Sequence, residues 1–213
     1  MSDKTLIAGV AAPLLIDNLD TDQIMPKQFL RIIDKAGLSK GVLYDLRFHP
    51  DGSPKEDFIL NQPAFSTSTF LIGGPNFGCG SSREHAVWGL QQLGIEAIVA
   101  PSYGEIFFGN ALNNRLLLIV LEQEKIAALL SDIEQGKTHL KIDLHAMTLS
   151  SATHIFPFAL AARHKKMIIE GLDMVGATMQ LLPEIEQFEE RHDVSAPWAK
   201  VMPSAHAHSA NGK

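Results

Sequence analysis

From residue 68 onward, short unbroken apolar runs alternate with longer stretches in which apolar residues return every three or four positions. "STFLIGG" (68–74), "EAIVAP" (96–101) and "LLLIVL" (116–121) have the length and continuity of strands buried on both faces. Between and after them, "SSREHAVWGLQQLG" (81–94), "EIFFGNALNNR" (105–115) and "EQEKIAALLSDIEQG" (122–136) carry helical spacing, with glycine closing the first and third. In 81–94, Ser81 is placed as an N-cap, with Glu84 three residues later to complete a capping box. Strand, helix, strand, helix, strand, helix predicts an α/β layer with parallel neighbours.

The flanks are less regular. "TLIAGVAAPLL" (5–15) predicts an opening strand or strand pair that runs into an Asp-rich turn, "IDNLDTDQIMP" (16–26). "FLRIIDKAGL" (29–38) predicts a short helix ending near Gly37, and "FHPDGSPKEDF" (48–58) an exposed loop. After residue 136 come two short β signals, "HLKIDL" (139–144) and "THIFPF" (153–158). Helical stretches follow at "ALAARHKKMIIEG" (159–171) and "MVGATMQLLPEIEQFEERH" (174–192), the latter broken or restarted at Pro183. The tail "PSAHAHSANGK" (203–213) is small and polar, so His206 and His208 belong to a solvated terminus rather than a metal site. There is no internal repeat. The expectation is one α/β domain over residues 1–200, a partly parallel sheet flanked by helices, with a flexible tail at 201–213.

Composition narrows the function. Hydrophobic residues make up 46% and charged residues 20%, ordinary for a globular protein. The net charge of -6 and scattered Lys and Arg exclude the clustered basic face that nucleic-acid binding needs. "MSDKTLIAG" lacks the features of a secretory signal, and "LLLIVL" is far too short to span a bilayer. A cytoplasmic protein without membrane contact is expected. A single cysteine, Cys79, rules out an intrachain disulfide. It also means that this chain alone holds no iron–sulfur cluster, which needs several thiolates, so metal chemistry must come from a partner.

The segment that raises a chemical question is "GGPNFGCGSSREHA" (73–86), in which glycines are followed at once by Ser81, Ser82, Arg83, Glu84 and His85. A glycine-rich loop entering a helix N-terminus makes an anion site of free amides and a positive dipole end. Arg83 adds a planar fork suited to a carboxylate or phosphate, and Gly78 and Gly80 let backbone approach closely. The plainer alternative makes Ser81 only a helix cap and Arg83 only a solvated first-turn residue. The spacing is not that of a phosphate P-loop, a dinucleotide turn or a nucleophile elbow. Cys79 lacks a His–acid pair in the motif to activate it and is expected to be a small packing residue. Physical chemistry alone gives an anion site with a hydroxyl in it.

"NFGCGSSREHA" closely resembles the signature of the swivelling domain of the aconitase superfamily. Three further stretches, "NLDTDQIMPKQFL" (18–30), "APSYGEIFFGNALNN" (100–114) and "GLDMVGAT" (171–178), occur in family order. Over most of residues 1–200 the chain is similar to the small subunits of 3-isopropylmalate dehydratases, the isopropylmalate isomerases of leucine biosynthesis.

This resemblance implies a β/β/α swivelling domain that docks onto a larger subunit carrying a [4Fe–4S] cluster. The implied reaction is a hydro-lyase one: water leaves a 2-hydroxy dicarboxylate and returns with the hydroxyl on the neighbouring carbon. Ser81 matches the serine whose alkoxide takes the proton, Arg83 the arginine that grips a substrate carboxylate, and Ser82 its hydrogen-bonding neighbour. Glu84 and His85 are implied as support. In "PKQFLRI" (26–32), Phe29 and Leu30 are candidates for an apolar substrate pocket, and Arg31 for reading a carboxylate, against the alternative of an ordinary amphipathic helix start. Asp20 and Asp22 are expected to shape their turn through side-chain-to-backbone bonds. Related substrates stay open (citraconate, dimethylmalate or homoaconitate), as does a non-catalytic carboxylate-binding module.

Overall fold

The computed structural model describes residues 5–30 and 36–199. Two compact units are present, Met1–Asp173 and Met174–Lys213. The first is built on a seven-stranded sheet in the order β4-β3-β2-β1-β5-β6-β7. Its strands are β1 (Leu6–Leu14), β2 (Phe70–Gly73), β3 (Ala97–Ala100), β4 (Leu117–Val120), β5 (His139–Asp143), β6 (Thr148–Ser150) and β7 (Ile155–Pro157). From β1 through β2 and β3 to β4 the pairing is parallel; β1 pairs antiparallel with β5, and β5 with β6 and β6 with β7 likewise. The expected α/β class and partly parallel sheet are what the chain forms.

The parallel half follows directly from the apolar runs. Phe70 to Ile72, Ala97 to Ala100 and Leu117 to Ile119 are buried throughout, as strands covered on both faces must be. The main helices are α3 (Glu84–Gln92), α4 (Glu105–Asn113), α5 (Gln123–Glu134) and α6 (Ala162–Glu170), preceded by the single turns α1 (Thr21–Ile24) and α2 (Tyr44–Arg47). Successive crossovers β2–α3–β3 and β3–α4–β4 step in one direction along the sheet, so α3 and α4 share a face. There Ala86, Val87, Leu90, Phe107 and Ala111 pack with Leu71, Ile98 and Leu118. On the opposite face Ile126, Leu129 and Ile133 of α5 pack with Phe70, Ile72, Val99 and Ile119.

The antiparallel half is anchored by one buried carboxylate. Asp132 of α5, 2% exposed, accepts from Ser151 Oγ at 2.5 Å and Thr153 Oγ1 at 2.7 Å. His154 Nδ1 lies 3.3 Å and Lys137 Nζ 3.5 Å away. The two hydroxyls hold the Asp132 carboxyl far below the usual carboxylate range. The helix thereby ties down the turn between β6 and β7.

Several sequence expectations are corrected. The helix expected over 29–38 overlaps residues 31–35, outside the described residues; on either side are single 3₁₀ turns, Lys27–Phe29 and Leu38–Gly41. α1 and β6 were not foreseen. The second unit contains α7 (Met174–Met179) and α8 (Leu182–Ser195), with Pro183 in the first turn of α8 as a restart. Val175, Phe188, Val194 and Trp198 of this unit are exposed. His206 and His208 lie outside the described residues.

Candidate active site

Parallel pairing of β1 with β2 brings Leu14 opposite Gly73, so the segments leaving the two carboxyl ends start side by side. They remain laced together. Asn18 N donates to Pro75 O (3.0 Å), Gly78 N to Leu19 O (2.7 Å) and Thr21 N to Cys79 O (2.9 Å). On its other side the glycine loop is held by residues 102–104, through Phe77 N to Ser102 O (3.1 Å) and Gly104 N to Phe77 O (2.9 Å). Tyr103 secures that outer turn: its hydroxyl lies 2.7 Å from Ile98 O and 2.9 Å from Ile119 O, and burial pushes its phenol well above its usual range. Crevices beyond the carboxyl ends of parallel strands are where open α/β sheets bind ligands.

The glycines turn out to serve the protein's own chain. Gly78 has φ +74, and a Cβ there would lie 2.5 Å from Phe107 Cδ1. Gly80 has φ +92 with no neighbour nearer than 3.6 Å, so it is needed for backbone conformation alone. At Gly78 the close approach is by Phe107 of α4.

Helix α3 starts at Glu84 with Arg83 as its N-cap residue, and no side chain caps it. The capping box expected between Ser81 and Glu84 is therefore absent. One forms instead on α1, where Asp20 Oδ1 accepts from Gln23 N (2.7 Å) and Gln23 Oε1 accepts from Asp20 N (3.1 Å). Ser81 is held through its backbone: Thr21 Oγ1 donates to Ser81 O at 2.9 Å. Its exposed hydroxyl is not spent on capping, and it sits just ahead of the positive end of α3.

Arg83 is 15% exposed and ion-pairs through Nη1 with Asp22 Oδ1, across 61 residues of chain. Asp20 shapes its turn as expected, but Asp22 does not: its carboxylate meets the arginine that the family resemblance assigns to a carboxylate ligand. Glu84 accepts from Asn114 Nδ2 at 3.0 Å, linking α3 to the end of α4. His85 packs on Trp88, with ring centroids 4.9 Å apart.

Beside this segment lies a cleft of about 470 Å³, bordered by Arg83, Glu84 and His85 but not by Ser81, Asp22 or Asn114. Ser82, Arg83, Glu84 and His85 form one wall with Trp88, Leu30 contributes an apolar patch, and Asn110 of α4 faces them. Of the "FLR" triplet, Leu30 borders it. Phe29 packs on Tyr44 (5.1 Å between ring centroids) and against Gly41, and Arg31 lies outside the described residues. Sequence reasoning missed Trp88, Asn110 and Asn114. For the asparagines a signal existed: Asn110, Asn113 and Asn114 interrupt a helical apolar pattern with poor helix formers and need a reason. Cys79 Sγ donates to Asn18 O at 3.2 Å, consistent with a packing role. No group of three metal-ligating side chains occurs among the described residues.

Residues 2–124 match the family model of the aconitase C-terminal domain. The chain is 52% identical over 205 residues to 3-isopropylmalate dehydratase small subunit 1 of Chromobacterium violaceum, covering 96% of this chain and 97% of that one. Identity to 3-isopropylmalate dehydratase small subunit 1 of Mannheimia succiniciproducens is 45% over 202 residues, covering 94% and 100%. The crystal structure of 3-isopropylmalate dehydratase from Methanocaldococcus jannaschii matches with a TM-score of 0.62 at 25% identity, covering 87% of this chain and 99% of that one. With a family model spanning more than half its length and close relatives over nearly all of it, the chain belongs to the aconitase C-terminal domain family.

Proposed function

We propose that this chain is the small subunit of a 3-isopropylmalate dehydratase, active in leucine biosynthesis as one half of a heterodimer in the cytoplasm. Its reaction converts 2-isopropylmalate to 3-isopropylmalate through the unsaturated diacid 2-isopropylmaleate. The observation that carries this reading is the Ser81–Arg83 segment at the mouth of α3, on a chain 52% identical across 96% of its length to a subunit of that name.

Ser81 is the base. As alkoxide it takes the proton from the carbon beside one carboxylate; hydroxide leaves the neighbouring carbon and a double bond forms between them. Reversal with the two carbons exchanged returns proton and hydroxyl at shifted positions. A serine alkoxide needs stabilisation, and the α3 N-terminus and the Arg83 guanidinium supply positive potential. Arg83 grips a substrate carboxylate, which exchanges with the Asp22 carboxylate now paired to it. Leu30 supplies apolar surface for the isopropyl group.

Departure of hydroxide falls to the large subunit, on which we place a [4Fe–4S] cluster. This chain's donors do not fit one, since its single thiol is Cys79. Among the described residues no helix is long and apolar enough to cross a membrane.

The test is reconstitution with a cluster-bearing large subunit, followed by assay on 2-isopropylmalate, citraconate, dimethylmalate and homoaconitate. Fastest turnover of 2-isopropylmalate supports the assignment. Preference for another diacid moves the substrate, and activity of neither kind removes the enzyme reading.

A further inference from the structure

The polar groups that border the cleft divide into those already bonded within the protein and those that are not. Arg83 is held by Asp22, Glu84 by Asn114, and Trp88 Nε1 donates to Asn114 Oδ1 at 2.9 Å. Asn110 is different, as is the exposed Ser82 on the facing wall. Asn110 is the polar residue that α4 presents to the cleft, and among the described residues no hydrogen bond engages its carboxamide.

Its backbone, by contrast, is fixed. Asn114 donates to Asn110 O twice, from its main-chain nitrogen at 3.1 Å and from Nδ2 at 2.9 Å. The same Asn114 side chain bonds Glu84 and Trp88 of α3. The distance between the α3 wall and the α4 wall is thus set by one asparagine, and the other asparagine faces across it. A carboxamide on a helix locked in this way is a pre-positioned donor and acceptor.

A dicarboxylate has two anionic ends. Arg83 matches one. We propose that Asn110 binds substrate: its carboxamide N–H donates to the second carboxylate of the hydroxy-dicarboxylate, so that the diacid is held from both walls. This inference rests on the dehydratase reading above.

The experiment uses the reconstituted heterodimer and 2-isopropylmalate, comparing wild type with Asn110→Ala, Asn110→Ser and Asn110→Asp, and with Ser81→Ala in parallel. A hydrogen bond to a charged group is lost in Asn110→Ala, so kcat/KM falls about ten- to a hundredfold, mainly through KM. Asn110→Asp keeps the shape but places an anion against an anion, and loses more than Asn110→Ala. A merely structural asparagine gives the opposite order, because Asp is the closer isostere. Should Asn110→Ala fail to assemble, the order of Ser above Asp carries the same test. Asn110→Ala within twofold of wild type, or Asp (or Ser below Asp) in the reverse order, overturns the proposal. If Ser81→Ala abolishes turnover while the Asn110 variants match wild type, only this inference falls. If Ser81→Ala stays active, the dehydratase mechanism itself falls.

Discussion

Replacing Gly78 by alanine tests how the glycine loop is built. At φ +74 an L-residue bears the left-handed penalty of about 1–2 kcal/mol. The added Cβ would lie 2.5 Å from Phe107 Cδ1 and 2.8 Å from Phe107 Cβ. Phe107 is 2% exposed and packed against Phe77 at 5.6 Å between ring centroids, so it has little room to retreat. Overpacking of this kind costs about 1–3 kcal/mol, giving a total of about 2–5 kcal/mol. For a chain of this size each kcal/mol lowers the melting midpoint by about 2–4 °C, so the expected loss is about 4–20 °C. Gly80→Ala is the control. Its φ is +92 but its nearest neighbour is 3.6 Å away, leaving only the backbone term and a loss of about 2–8 °C. Thermal unfolding followed by circular dichroism compares the two. Adding Phe107→Leu should recover part of the Gly78→Ala deficit and none of the Gly80→Ala deficit. If Gly78→Ala melts at or above Gly80→Ala, the contact with Phe107 does not explain the glycine.

Two further predictions concern the carboxylate partners. Arg83→Lys keeps the charge but loses the fork, so KM for 2-isopropylmalate should rise about tenfold or more in the heterodimer; unchanged steady-state kinetics would exclude Arg83 from substrate binding. Asp132→Asn removes the anion held by Ser151 and Thr153 and should lower the melting midpoint at pH 7. Because the Asp132 carboxyl is depressed in the folded chain, its contribution is present above the unfolded value near 3.9 and fades as pH falls below it. Melting curves of wild type and Asp132→Asn should therefore converge below about pH 4, and a gap that widens there would contradict the assignment.

What the sequence revealed was what local pattern controls. Continuous apolar runs at 70–73, 97–100 and 117–119, each short and followed by a helical pattern, read as doubly covered strands, so the β2–β3–β4 layer and its crossovers were legible. β6 was not, because three residues with Leu149 alone buried carry no periodicity. Sequence spacing points to a capping box at Ser81 and Glu84, while the residues that form one, Asp20 and Gln23, lie in a stretch whose composition is that of a turn. Ser-x-x-Glu spacing is only permissive, and the lacing of Thr21 to Cys79 and Ser81 decides where the helix begins. The Asp22–Arg83 pair depends on the parallel register of β1 with β2, which sequence spacing does not encode. Trp88 and Asn110 likewise reach the cleft through the packing of α3 beside α4. The motif named the loop; only the fold showed what faces it.

The most direct test of the central claim is the rate of the Ser81→Ala heterodimer at saturating 2-isopropylmalate. Ser81 caps nothing and is held by its carbonyl rather than its side chain, so the substitution should leave assembly with the large subunit and substrate KM nearly unchanged. Loss of a general base predicts a fall in kcat of about 10²–10⁴-fold. Retention of more than about a tenth of the wild-type rate, well outside that range, in a fully assembled complex would show that Ser81 is not the base.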